Sequence, residues 1–596
     1  MFNLKQVMNK YFLGFLLCFV FLMMSCGIGK RNPLEDVVKL KGDLFQGGTF
    51  KYNEPENFKT IFPHNITEVI GARIANQIYE GLVTLNTQSL HEEPCLAERW
   101  EIDSTTDKTV YTFYLRDNIR FQDNPCFKGG KGRVVLASDF KFCFDKACEA
   151  KPDNQSAWLF KNKVVGASEY YNESLNGKIL EGGVSGIVAD DKNNTLSIRL
   201  TKPIGSFLQM LAMPNAAVFP KEAYDMYGED LRINSVGTGP FILKPENIKE
   251  EEKVILTRNE NYWAVDTAGN SLPYLSTIEI SFVNEQKLAL LEFKKGELDL
   301  LYQIAPEMYD NVIKKSKSGL ISLRDDYSAF TLQKSPTLAI EYLGFQHKHE
   351  AFSDIKVRKA FNYAVNRKKI VDNVLNGVGI RGRYGIVPPA IADYNAKKVN
   401  GYTYNPDKAK ILLAEAGYTE GEGFPEITLQ INTGGGVNRQ VTQAVKKMLE
   451  ENLNIKVNIQ ELAWPQHLDK LERGVAGFFR LGWVADYSDP ENFFNLFLSE
   501  HIPAEGGKTY LNPTRYENKK YDSLYYDALS SYEKLDRFER YLKIDQMIID
   551  EAIIMPLFYK ENYRLLQPYV KNFHQNPMEY RKFREVYFAL PKSSEI

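Results

Sequence analysis

The sequence predicts an α/β protein of two or three folded bodies. Its 596 residues exceed what one hydrophobic core usually serves. Extended apolar segments alternate with amphipathic segments of helical period, the pattern of strands joined by crossover helices. Hydrophobic residues at 44% and charged residues at 25% supply both core and solvated surface.

The elements follow in chain order. Residues 110–115 (VYTFYL) are β-branched or aromatic almost throughout and read as a strand. Ser138 and Asp139 open an amphipathic helix reaching Ala150. Strands are read at 195–200 (TLSIRL) and 277–283 (TIEISFV). A helix over 286–295 stops at Gly296, and 297–302 returns to extended chain. Residues 354–375 read as one long amphipathic helix, with Ala360, Phe361, Ala364 and Val365 on one side and Gly377 just past its end. Asn405 and Pro406 open a further helix that closes at Gly417. A strand over 427–432, a helix over 438–453 and a strand over 455–462 complete the alternation.

The N-terminus carries a separate signal. Lys5 and Lys10 precede a nearly continuous apolar run, 11–24, followed by Ser25, Cys26 and Gly27. The run is short for a bilayer span and suits the hydrophobic region of a signal peptide. A small residue directly before Cys at the end of such a run resembles a bacterial lipobox, with Met23 where Leu is usual. On this reading 1–25 is a signal peptide, Cys26 carries the lipid and 26–44 is a polar tether. The alternative is an ordinary signal peptide whose Cys26 is incidental.

Several function classes lose support. A net charge of −2 gives no basic footprint for nucleic acid. Seven His residues include no His-Glu-x-x-His, and His347 and His349 read as polar residues at a strand end. The Gly- and Lys-rich loop 122–133 has no Ser or Thr after its Lys, so it is not a phosphate loop. No Gly-x-Ser-x-Gly elbow is present. No catalytic, metal or cofactor site is expected, although an unrecognised pair of acids keeps a secreted hydrolase as the enzyme alternative. Cys95, Cys126, Cys143 and Cys148 follow the signal segment. They allow three pairings, or remain free thiols. Cys143 and Cys148 share a helix and point in different directions, which disfavours a bridge between them.

Residues 477–484 (GFFRLGWV) read as a strand with two parities. If Phe479, Leu481 and Trp483 face the core, Arg480, Gly482 and Val484 face the other way.

Several segments together resemble the family 5 extracellular solute-binding proteins of peptide and nickel ABC transporters. They are Leu96-Ala97-Glu98-Arg99-Trp100 with 109–116 and Phe121, Ser138-Asp139-Phe140, Gly237-Thr238-Gly239-Pro240-Phe241, Arg258-Asn259 with Tyr262-Trp263, and Gly296-Glu297-Leu298-Asp299. Val357-Arg358-Lys359-Ala360 through Arg367, Ala414 to Tyr418, and 482–490 (GWVADYSDP) continue the series in the family's order. Inserts lie around 124–133 and before Ser271.

The resemblance implies a two-lobed fold of the type II periplasmic-binding-protein kind, with a hinge and an extra α/β domain inserted in the first lobe. Mapped here, lobe I is 45–79, 186–337 and 561–596, the extra domain 80–185, and lobe II 338–560. It implies an exported monomer, lipid-anchored at a bacterial membrane, that holds an oligopeptide for a permease, with no cofactor and no catalysis. Asp486 takes the position of the aspartate that binds a peptide's α-ammonium. Its alternative role is to cap the loop beside Tyr487. Arg480 matches an arginine that some members use for the ligand carboxylate, and Gly482 and Val484 would expose backbone to a ligand strand. Trp483 joins this candidate set. Arg439 stands where some members place a His and is a candidate second cation. Arg480 and Asp486 are at most about 20 Å apart along an extended strand, which suits peptides of roughly three to five residues. A nickel chelate, haem or sugar ligand is the alternative within the family, and a surface receptor without transport is the alternative role. Asp486 argues against a neutral sugar, which offers no ammonium.

If Cys26 is the lipidation site, labelled palmitate will enter the wild-type chain and not Cys26→Ser. Equal labelling of both would refute the assignment.

Overall fold

The computed structural model describes residues 31–589, apart from 36, 105–108, 284, 305, 317–319, 434, 504–506, 510 and 532. The expected signal peptide and Cys26 lie outside the described residues.

Five elements position the site: β1 (Thr49–Glu54), β2 (Thr331–Phe345), helix α1 (Gly435–Leu453), β3 (Phe478–Val484) and β4 (Ile554–Leu566). The four strands belong to a sheet whose main path runs 241–242, 253–258, 277–282, β1, 300–301, β4, β2, β3, 427–432 and 457–462. β1 is parallel to 277–282 and to 300–301. In the other half, 427–432 is parallel to both 457–462 and β3. Helix Gln286–Lys295 crosses over in the first half and α1 in the second, so each half is an α/β unit of its own.

Among the described residues, only β2 and β4 run through both halves. Residues 565–566 of β4 ladder onto 300–301, while 339–345 of β2 ladder onto β3. The β2–β4 register slips between Pro336 and Ile340, where proline has no amide hydrogen to donate. Beyond the slip, Leu338 to Phe345 are all buried, as a central strand with both faces covered requires. Phe345 stacks on Phe478 at 5.3 Å, and burying a ring of this size contributes about 1.5–3 kcal/mol. Gly344 makes room for the neighbouring strand: a Cβ there would come within 2.3 Å of the Phe479 ring.

A separate antiparallel sheet joins 97–103, 110–115, 195–199 and 187–190. Burial alternates along 110–115, with Tyr111, Phe113 and Leu115 inward. This is the two-residue period of a half-covered strand.

Some expected elements differ. The helix read over 354–375 is broken: Ile355–Ala364 ends at an extended Val365, and Asn366 caps a new turn by accepting from the Lys369 amide at 3.1 Å. The break lets buried Arg367 donate to Asn362 O at 2.9 Å and Asn362 Oδ1 at 2.8 Å. Arg358 of the same motif donates to Phe352 O, Ser353 O and Glu551 O at 2.6–3.0 Å. Both motif arginines thus serve backbone carbonyls. The segment read as a tether is docked from residue 31 onward. Arg31 meets buried Asp299 at 2.8 Å, and Val38–Lys39 pairs with Phe45–Gln46. Between 297 and 302 only Leu300–Leu301 is laddered.

The four described cysteines are free thiols. Cys143 Sγ lies 3.3 Å from both the amide nitrogen and the carbonyl oxygen of Phe219. His347 is half-buried, with Nε2 3.4 Å from Ile553 O, and burial pushes its pKa down to about 3. His349 is exposed.

Two family-like segments converge on one acid. Buried Glu80 accepts from Thr238 Oγ1 at 2.8 Å, Tyr262 OH at 2.7 Å and Trp263 Nε1 at 3.0 Å. A second buried acid, Glu54 at the end of β1, meets Arg581 at 2.7 Å and Arg73 at 2.9 Å. Arg564 meets Glu579 at 3.3 Å beside them. Removing one partner of such a pair strands the other's charge in a poorly solvated site. Glu54→Gln keeps the shape and is expected to cost about 3–5 kcal/mol, read as a lower urea midpoint. An unchanged midpoint would show that the network adds no net stability.

Candidate functional site

β3 and the turn after it carry the candidate residues. In the ladder with β2, Glu341 lies opposite Gly482 and Leu343 opposite Arg480. Gly482 has no side chain, and the Glu341 carboxylate takes that space: a Cβ at Gly482 would sit 2.8 Å from Glu341 Oε1. Glu341 is 4% exposed, so its charge needs partners. It meets the Arg480 guanidinium and, at 2.6 Å, Lys560 Nζ. Burial alone would raise its pKa, but Lys560 and Arg480 together hold the carboxyl below the usual range.

Arg480 is fixed from two sides. Its Nη1 donates to Asn432 Oδ1 at 2.8 Å. Its backbone carbonyl lies 3.0 Å from Nε2 of His467, whose Nδ1 is 3.0 Å from Gln430 Nε2. Burial pushes the His467 pKa down to about 4, so at neutral pH the ring is uncharged. The neutral tautomer that fits both contacts carries its proton on Nε2 and accepts at Nδ1.

Arg480, Glu341 and Lys560 line a cavity of about 360 Å³. Gln303 and Tyr309 stand on one side of it, and β2, α1 and β3 on the other. Its apolar lining comes from two separate cores. Leu343, Val441, Val445 and Leu557 belong to one, Tyr309 and Val378 to the other.

Asp486 lies six residues further along. Its amide donates to Asn492 Oδ1 at 3.2 Å, and the Asn492 amide group reaches Asp486 Oδ2 at 3.4 Å. Asn492 Oδ1 also accepts from Trp483 Nε1 at 2.8 Å, which ties the strand end to the following turn. That turn is tied down by buried contacts: Tyr487 and Tyr525 both hydrogen-bond buried Glu491, and Asp489 meets Arg537 at 2.9 Å with both side chains buried. Asp486 is open to solvent at its surface, yet protein crowds its surroundings. That loss of hydration pushes its carboxyl above the usual range, and the Asn492 amide opposes part of the rise. Among the described residues, no Lys, Arg or His stands within 4.0 Å of its carboxylate.

The structure thus brings Arg480 into the cavity and places Asp486 beyond it. Trp483 packs partly buried against the main core, and Val484 is 57% exposed. Arg439 is exposed, 3.6 Å from Glu461 and outside the cavity lining. Sequence reasoning missed Glu341, Lys560, Asn432 and His467. One signal for Glu341 was available: it is the lone acid in the apolar run 338–345 (LAIEYLGF), where a charge must find a partner.

Known proteins share this architecture. A solved Helicobacter pylori protein, the ABC transporter-associated periplasmic binding protein DppA in complex with peptide STSA, superposes with a TM-score of 0.70 at 22% identity. The match covers 91% of this chain and 99% of that one. In sequence, the periplasmic oligopeptide-binding protein OppA of Salmonella typhimurium is 27% identical over 530 residues, 88% of this chain and 89% of that protein. Heme-binding protein A of Haemophilus influenzae is 28% identical over 522 residues, 85% and 86% of the two chains. The fold is therefore the two-lobed type II periplasmic-binding architecture. With residues 92–503 matching the family described as "Bacterial extracellular solute-binding proteins, family 5 Middle", the chain belongs to the family 5 bacterial extracellular solute-binding proteins.

Proposed function

We propose that this protein is the substrate-binding component of a peptide ABC transporter, capturing oligopeptides in the cleft between its lobes and delivering them to the permease. One observation carries the reading. Asp486 is a solvent-accessible acid with no cationic partner among the described residues, two positions past the end of the strand that holds Arg480. An α-ammonium is the cation that such a carboxylate lacks, and a charge-assisted hydrogen bond is roughly twice as strong as a neutral one. The printed names of the oligopeptide-binding and peptide-bound relatives support the same reading.

In this reading the lobes are 45–79 with 186–337 and 561–596, and 338–560, with 80–185 as the added domain. The register slip at Pro336–Ile340 is the hinge about which they close. The chain works as a monomer, held at the membrane through a lipid on Cys26. No helix among the described residues is long and apolar enough to cross a membrane. It binds and releases its ligand unchanged. The haem-binding relative makes haem the second reading.

Calorimetry of ligand-stripped protein with tri- to pentapeptides tests the assignment. Asp486→Asn is expected to weaken binding by more than about 2 kcal/mol, and N-acetylation of the peptide to do the same. Peptide binding unchanged in the variant would make Asp486 a loop residue, and haem bound in place of any peptide would favour the second reading.

Affinity should also fall on acidification. Ammonium binding needs ionised Asp486, whose pKa lies above the ordinary value of about 3.9. Protonation therefore removes the clamp as pH falls through that raised value. Asn492→Ala removes the group that opposes the rise, so the loss should begin at higher pH. Carboxyl-carbon NMR of Asp486 would report both titrations directly.

A further inference from the structure

We infer that the exposed face of helix Gln286–Lys295 rests on an anionic lipid surface, held there by the lipid on Cys26 and the docked Arg31. The inference rests on the Cys26 reading above and adds the face that the membrane meets.

The face itself is the first argument. Ala289, Leu290 and Phe293 of this helix turn inward and are buried. Lys287, Leu288, Leu291, Lys294 and Lys295 are all exposed, and at 3.6 residues per turn they share one side, an arc of about 120°. Leu288 and Leu291 are 42% and 48% exposed, about one turn apart. Among the described residues, no carboxylate oxygen stands within 4.0 Å of the three lysine ammoniums. Lys294 Nζ lies 4.6 Å from the centre of the Tyr327 ring. The acids of the segment stand to the side of this face: Glu285 precedes the helix, Glu292 flanks the arc and Glu297 follows the capping Gly296. Leucines set among lysines suit the boundary between headgroups and acyl chains. Each lysine near an anionic surface contributes about 1 kcal/mol.

The route of the chain toward Cys26 is the second argument. The Asp299 side chain is fully buried and needs a cation. Arg31 supplies it with two bonds, Nη1 to Oδ1 at 3.1 Å and Nη2 to Oδ2 at 2.8 Å. Tyr569 OH at 2.6 Å and the Lys51 amide at 2.7 Å complete the carboxylate's shell. The same Nη1 lies 3.4 Å from Gly296 O and from Glu297 O. Gly296 is the residue that ends the helix after Lys295. Arg31 is therefore fixed at the end of the helix that carries Lys294 and Lys295. Cys26 stands five positions earlier, at most about 18 Å of extended chain. The helix of 10 residues is itself about 15 Å long. A lipid on Cys26 thus enters the bilayer little more than one helix length from the exposed lysines. So short a link keeps the local concentration of lipid surface high, and a face that binds weakly alone is held.

The test is lysine acetylation read residue by residue in a mass spectrometer. It compares the lipidated mature chain on vesicles of phosphatidylcholine and phosphatidylglycerol with Cys26→Ser beside the same vesicles, after cosedimentation has been measured for both. Lys287, Lys294 and Lys295 are expected to react at least about threefold more slowly in the vesicle-bound chain, with exposed Lys178 and Lys192 unchanged. Leu288→Ser combined with Leu291→Ser alters exposed side chains alone. It should remove about half of the protection or more and leave cosedimentation intact. Vesicles of phosphatidylcholine alone should also reduce the protection. Equal lysine rates in a chain that cosediments would overturn the docking face and leave the Cys26 reading standing. Protection that persists undiminished both in the leucine variant and on phosphatidylcholine alone would overturn it too. Protection seen only in membranes that hold the permease would assign the face to a protein and overturn the lipid surface. A wild-type chain that stays in the supernatant with Cys26→Ser would overturn the Cys26 reading, and this inference with it.

Discussion

The pairing of β2 with β4 is the constraint on which the rest of the structure depends. Each remaining strand of the main path attaches to one half of the sheet, and only these two long strands carry hydrogen bonds through both. Their ladder slips between Pro336 and Ile340, where proline has no amide hydrogen to donate, and again between Glu341 and Tyr342. Glu341 follows immediately on one strand, and Lys560 precedes the Pro336 partner Glu561 on the other. The ion pairs lining the cavity are thus built at the crossing itself.

Three carboxylates illustrate how desolvation sorts structural acids from available ones. Glu54 is neutralised by Arg73 and Arg581, and Glu341 by Lys560 and Arg480. Both are deeply buried, and neither keeps a free charge. Asp486 has, among the described residues, no cationic partner and is met by the Asn492 amide. Burying an unpaired charge is costly, which is why the two buried acids are paired while Asp486, open to solvent, need not be.

The segments by which the chain resembles its family are mostly scaffolding. Arg358 and Arg367 serve backbone carbonyls, and Thr238, Tyr262 and Trp263 surround Glu80. Such contacts hold a fold whatever it binds, whereas a ligand is chosen by a few side chains at the cleft. An oligopeptide-binding and a haem-binding relative consequently stand at nearly the same identity to this chain. Overall similarity is not what separates their ligands.

By itself the sequence determined the local elements and the fold class. The alternation at 110–115, the αL glycine at Gly296 and the Asn405 cap ahead of Pro406 each act within a few residues. Local sterics and hydrogen bonding therefore make them legible. The candidate strand and Asp486 were legible too, through the motif they share with relatives. Only the tertiary structure decided what those residues face. Glu341 and Gly482 are 141 positions apart, taking the difference of their numbers, yet strand pairing makes them opposite neighbours. That contact fills the glycine's space with a carboxylate and engages Arg480, which the strand's parity alone presented as open to a ligand. The break at Val365 has the same kind of cause, since Arg367 finds part of its bonding in the distant β4. Partners so far apart in the chain leave no periodic trace in it, and burial then decides which charges are satisfied internally and which remain to bind.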